Sequence, residues 1–204
     1  MKTEDLEGFE HVTEWRERLW GVSRADIDDL RWTEAGLMYA WPAANSTPVP
    51  HIGSDTRGVT GFAPRREGLG IGRQNVLHQM IGQDSSTFRL VKLSENVGIE
   101  SQESVVIWRD VAFWLWKDGI YQWDSDGVRN VSNGKVASWF NTTSYFNSAV
   151  FANSFARIHP ATGRYQLFLA AAGGSTINRW IEYDPASGKF WGPHKTDLFT
   201  PSST

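Results

Sequence analysis

The chain has 204 residues, with 20 lysines and arginines against 23 aspartates and glutamates, for a formal net charge of −3. So small a charge argues against general binding to a phosphate backbone, and 40% apolar with 21% charged residues is a globular composition, sufficient to bury roughly 70% of the extended surface. No cysteine is present, which excludes disulfides, thiolate metal sites and cysteine nucleophiles and suits a reducing compartment.

The opening MKTEDLEGFEHV lacks the apolar stretch of a signal peptide, and no run of about eighteen apolar residues follows to cross a membrane as a helix. Charges at helix-like spacing over 2–18 predict a short N-terminal helix, despite Gly8. After it, short apolar runs alternate with turn residues. Strands are expected at Arg18–Ser23, Asp29–Thr33, Gly58–Pro64, Gly68–Gly72, Val76–Gly82 and Thr87–Leu93. They continue at Ser104–Trp108, Val111–Trp116, Ile120–Trp123 and Val128–Ser132, then at Ser148–Ile158, Tyr165–Ala171, Asn178–Tyr183 and Lys189–Trp191.

Strands this short, bounded by Asp, Gly, Asn and Pro, pair as antiparallel hairpins, so the fold class is all-β. Aligning on Leu19, Leu69, Phe113 and Leu167 gives a repeat of about 45–55 residues with three or four strands per unit. That period predicts blade-like sheets in a partial or small β-propeller. The expected division is an N-terminal extension over 1–14, the propeller-like domain over 15–195 and a C-terminal tail over 196–204. Two echoes, HPATGRY at 159–165 and DPASGKF at 184–190, read as equivalent hairpin tips.

The most aromatic stretch, AFWLWKDGIYQWDSDG at 112–127, admits three readings. Val111, Phe113 and Leu115 alternate with Ala112, Trp114 and Trp116, so both faces of that strand are apolar and both are buried. Asp118-Gly119 fits a type I′ hairpin turn, and Asp124–Gly127 repeats the device. As a calcium loop, Asp124-Ser125-Asp126-Gly127 lacks the later ligands, including a glutamate at the twelfth position. A sugar shelf would need exposed rings, and packing accounts for these rings more simply.

The glycines of Gly68–Gly72 lack dinucleotide-loop spacing and predict close backbone approach. His11, His51, His78, His159 and His194 are scattered without zinc spacing, and no carboxylate pair stands out, so no metal, no cofactor and no enzymatic activity are expected. Trp139, Phe140, Asn141 and Tyr145, where aromatics alternate with amides, are the candidate binding surface, for sugar or, in preference, for protein, with core packing as the plainer reading.

The order of the segments Arg16–Ser23, Gly58–Gly82 and Glu95–Ser132, with Arg18-Leu19-Trp20, Gly98–Val105, Gly119–Gly127 and a closing Tyr183–Trp191, resembles propeller segments of bacteriophage virion proteins. The groups it resembles are the tail nozzle or tail tubular proteins and the packaged-DNA stabilisation proteins of short-tailed phages. The resemblance covers about residues 15–192. It implies a structural component of a phage particle, in the tail nozzle or head-to-tail neck, assembled in the host bacterial cytoplasm. It implies other virion proteins as partners, a homo-oligomeric ring and loose contact with genomic DNA, with no membrane involved. The alternative is a host-receptor or glycan-binding module of the tail.

Overall fold

The computed structural model describes residues 8–50, 57–141 and 145–195. The C-terminal tail over 196–204, His51 and the first seven residues of the N-terminal extension lie outside them. The described chain divides at Gln102/Glu103 into two compact units.

The first unit holds two four-stranded antiparallel sheets. Sheet I contains β1 (Phe9–Trp15), β2 (Arg18–Ser23), β3 (Asp29–Trp32) and β4 (Ser46–Pro48). Sheet II contains β5 (Gly61–Arg65), β6 (Gly68–Gly72), β7 (Val76–Ile81) and β8 (Arg89–Glu95). The second unit repeats the plan. Sheet III is β9 (Val106–Trp108), β10 (Val111–Trp116), β11 (Gly119–Asp124) and β12 (Gly127–Asn130). Sheet IV is β13 (Phe155–Ile158), β14 (Tyr165–Ala170), β15 (Ile177–Asp184) and β16 (Lys189–Lys195). In each sheet the strands lie in chain order, and Leu19, Leu69, Phe113 and Leu167 each fall on the second strand, so the repeat is real.

The expected β-propeller is not formed. The four sheets are separate and open, and none curls or closes into a propeller or barrel. A repeat of hairpins specifies the ladders inside each sheet. It does not specify a ring, because a ring is set by how each sheet packs on the next, which hairpin spacing does not encode. The N-terminal helix is also replaced: residues 9–15 form β1, where Thr13 pairs with Trp20 and Trp15 with Arg18. Thr13 and Trp15 thus point to the core side at strand spacing, and a strand's period of two outweighs the charge pattern.

In the first unit, Trp20 is fully buried, stacks on Trp32 at 5.1 Å and meets the edge of Phe88 at 5.0 Å. Trp20, Val22 and Leu30 of sheet I close on Phe62, Leu69 and Ile71 of sheet II. Two indole nitrogens are satisfied inside this core: Trp20 Nε1 donates to the Trp15 carbonyl at 2.9 Å and Trp15 Nε1 to the Arg65 carbonyl at 2.7 Å, while Trp32 Nε1 is buried without a partner among the described residues. In the second unit, Phe113 and Leu115 of sheet III meet Tyr165, Leu167 and Ile181 of sheet IV. Tyr165 is completely buried, and its hydroxyl donates to the Ser104 carbonyl at 2.8 Å. Ala112, Phe113, Trp114 and Leu115 are all buried, so β10 is enclosed on both faces as its sequence requires.

Three local expectations need correction. The β10–β11 loop is Lys117-Asp118, neither at positive φ, with Gly119 following at φ 150°. The left-handed two-residue turns are instead Arg16-Glu17 (φ 53° and 57°) and Arg109-Asp110 (φ 51° and 63°), in sequences without glycine. At Gly68 and Gly72 the close neighbours are the side chains of Gln79 and Ile99, not another backbone. The first half of Ser148–Ile158 is 3-10 helix (Ser148–Asn153), and only Phe155–Ile158 is strand.

Trp20→Ala is expected to cost about 3–5 kcal/mol by chemical denaturation, because a fully buried ring leaves a cavity. Val12→Ala, on the exposed side of the same sheet, is expected to change stability by less than about 0.5 kcal/mol. Glu17→Gly, at φ 57°, is expected to stabilise the chain by roughly 0.5–1 kcal/mol, since relief of left-handed strain exceeds the added chain entropy.

Candidate binding site

Pairing sheet III with sheet IV covers one face of sheet IV. Strand alternation sends the remaining side chains to the other face, and register decides which of them meet. Phe155 lies opposite Phe168, Phe168 opposite Trp180, and Trp180 opposite His194. The four rings form one row across the sheet. Phe155 and Phe168 stack at 4.6 Å with an interplanar angle of 7°, Phe168 and Trp180 at 6.2 Å, and Trp180 and His194 approach at 4.2 Å. Phe155, at the edge, is 41% exposed.

A second row runs beside the first. Arg157, Gln166, Glu182 and Trp191 are paired in turn across the same four strands. Arg157 Nε donates to Gln166 Oε1 at 2.9 Å, Gln166 Nε2 to Glu182 Oε1 at 2.7 Å, and Arg164 Nη1 to Glu182 Oε2 at 2.9 Å. The guanidinium of Arg164 also lies 4.1 Å over the Trp191 ring, and that of Arg157 lies 5.1 Å over Phe168. Trp191 and His194 both reach this face because the register slips by one residue between Trp180 and Glu182, opposite Gly192 (φ 113°).

Burial opposes ionisation of Glu182, but hydrogen bonds from Gln166 and Arg164, with the charges of Arg164 and His194, outweigh it and hold the carboxyl below the ordinary glutamate value. The face therefore presents ring edges and cationic planes over a carboxylate that stays ionised.

The surface expected at Trp139, Phe140, Asn141 and Tyr145 is placed as follows. Residues Ala137–Asn141 form a short helix, α1. Phe140 is turned into the core against Phe146 (5.6 Å) and Phe151 (6.3 Å), Trp139 packs partly against that core, and Asn141 is exposed. Tyr145 is 45% exposed and tilts over Trp139 at 6.1 Å. Trp139 and Tyr145 are thus brought together, with Phe140 directed away from them. The sheet IV rows escaped the sequence reading because their members lie on four different strands and meet only through the register of those strands. The pairing of Phe155 with Phe168 follows only once the turn at 159–164 is placed.

The two echoed hairpins take one conformation: Gly163 and Gly188 both have φ 67°, and each amide donates at 2.8 Å to the carbonyl four residues back, His159 and Asp184. They flank a cleft of about 460 Å³ with Trp108, Phe113 and Gln122. Its polar groups serve one another: Asp184 accepts from Ala186 N at 2.9 Å and Ser187 Oγ at 2.8 Å, and Gln122 donates to Asp124 at 2.7 Å. Asp124 also pairs with Arg129 at 2.8 Å and accepts from Asp126 N at 2.9 Å, which makes 124–127 a self-satisfied hairpin. Among the described residues no group of three His, Asp or Glu side chains could hold a metal ion.

No family model and no curated protein matches the sequence. Among solved structures, the chain is similar to the extracellular domain of a one-component system from B. thetaiotaomicron, with a TM-score of 0.53 and 10% identity. The match covers 88% of this chain and 21% of that one, so the chain spans about a fifth of the length of that structure. At this identity the likeness is one of fold alone. The resemblance to phage virion propellers is overturned: the similar structure is a bacterial extracellular domain, and nothing found supports a viral origin. The resemblance rested on an order of short strands and turns, which any chain of hairpin meanders shares.

The Glu182 network carries a pH prediction. Its folded pKa lies below the unfolded value, so its stabilisation is complete above the ordinary 4.5 and fades as pH falls through the lowered folded value. Thermal melts are expected to show a steeper loss of Tm below that pH for the unaltered chain than for Glu182→Gln.

Proposed function

We propose that this chain is a non-catalytic interaction module, a stiff β scaffold held by other protein through the face of sheet IV turned away from sheet III. The observation that carries this reading is the row Phe155–Phe168–Trp180–His194, flanked by Arg157 and Arg164. Aromatic and arginine side chains are the groups that anchor protein interfaces, and a contiguous row across a sheet face is a surface suited to being covered. A sugar stacks on the open face of a ring. Here the faces of Phe168 and Trp180 are taken up by their neighbours in the row, which favours a protein partner over a glycan.

The reading is tested with a photo-crosslinking phenylalanine analogue in place of Phe155, in the organism that makes the protein. Covalent protein adducts are expected, reduced several-fold by Arg157→Glu and absent when the probe replaces Lys92 on sheet II. Loss of all protein adducts at position 155, with adducts to oligosaccharide in their place, would overturn it.

A further inference from the structure

We infer that the partner of sheet IV is a second copy of this chain, docking through the outer face of sheet I; this rests on the reading of sheet IV as an interaction face. The register of β1 and β2 sets Val12 opposite Gly21 and Glu14 opposite Leu19, on the side away from the Trp20 core. A slip between Phe9 and His11 puts Phe9 opposite Ser23, so its ring lies over Gly21 on the outer face and stacks on Trp41 at 4.2 Å. Trp41 ties the preceding loop to this face, and that loop displays Leu37, Met38 and Tyr39 at 43%, 43% and 62% exposure. With Val12 at 39%, four of the seven exposed large hydrophobics among the described residues belong to this one side of the first unit. So much exposed apolar surface at one place is a surface to be covered.

Arg31 on the sheet I face is paired with Asp29 at 3.1 Å and Arg164 on the sheet IV face with Glu182 at 2.9 Å, and the charges beyond these pairs are opposite on the two faces. Glu10, Glu14 and Glu17 are exposed along β1 and its turn, and none forms an ion pair with another described residue. On sheet IV, Arg157 is exposed, and among the described residues its guanidinium meets the Gln166 amide and the Phe168 ring. Each unit already shows that one four-stranded sheet covers another through rings and branched side chains. Sheet I of one copy on sheet IV of the next repeats that contact, with acid facing base. The two faces differ, so the contact is head-to-tail, and copies add in series until a ring closes or a filament grows.

Sedimentation velocity of the full chain over a range of concentrations tests this. Concentration-dependent association is expected, weaker at high salt because the paired charges are screened. Glu14→Arg and Arg157→Glu are each expected to weaken association about tenfold, since either places like charges across the contact. Mixing the two variants restores it, because each altered face then meets its complement. Matched melting temperatures show that both variants are folded. A chain monomeric at every concentration, or an association indifferent to both reversals, overturns the second-copy partner. If protein adducts still form at position 155, the interaction face stands and only its occupant changes.

Discussion

Each sheet in this protein has more apolar side chain than water will tolerate, and it sheds the excess by laying one face on a second sheet. Trp20, Trp32 and Phe62 do this in the first unit, and Phe113, Tyr165 and Leu167 in the second. Packing of this kind costs least where the polar atoms carried inside find partners. The Trp15 and Trp20 indoles and the Tyr165 hydroxyl all donate to backbone carbonyls within the core. The loops obey the same constraint. Arg73, almost wholly buried, binds Asp28 and donates at 3.0 Å to the carbonyls of both Val49 and Arg57, which gathers three segments of the first unit around one charge.

The faces left over account for the functional reading. On sheet IV the rings stand on edge against one another, and a charged row ties four strands together beside them. On sheet I a slipped register and one tryptophan bring aromatic and aliphatic groups to the outside, next to acids that form no ion pair with another described residue. A face that is flat, stiff and pre-ordered loses little side-chain entropy when it is covered, which favours recognition by another protein surface.

The correction of the propeller has a definite physical source. The spacing of Leu19, Leu69, Phe113 and Leu167 reports hairpin lengths, which are local, and each of these residues does lie on the second strand of its sheet. Ring closure is not local, and four open sheets fulfil the same spacing. The phage resemblance drew on the same local features, since Arg18-Leu19-Trp20 and Gly119–Gly127 are strand and turn elements that carry no chemistry of their own. The turns show the limit from the other side. Arg16-Glu17 and Arg109-Asp110 take left-handed conformations without the glycine or asparagine that normally announces them, because the strands they join leave two residues to reverse the chain.

From residue order alone, the strands Arg18–Ser23, Gly68–Gly72 and Val111–Trp116 were legible with their observed ends, and so was the enclosure of β10 on both faces. Alternation and turn residues act within a few positions, and such signals survive in a bare sequence. Which rings share a face was not legible. Phe155 and Phe168 are thirteen positions apart and Trp180 and His194 fourteen, and they meet only through the register of three hairpins and one slipped residue. Phe140 and Trp139 are neighbours in sequence, yet one turn of helix sends the first into the core and leaves the second beside Tyr145. The tertiary structure decided these placements because burial is a property of assembled sheets, and a side chain's exposure depends on what is packed over it.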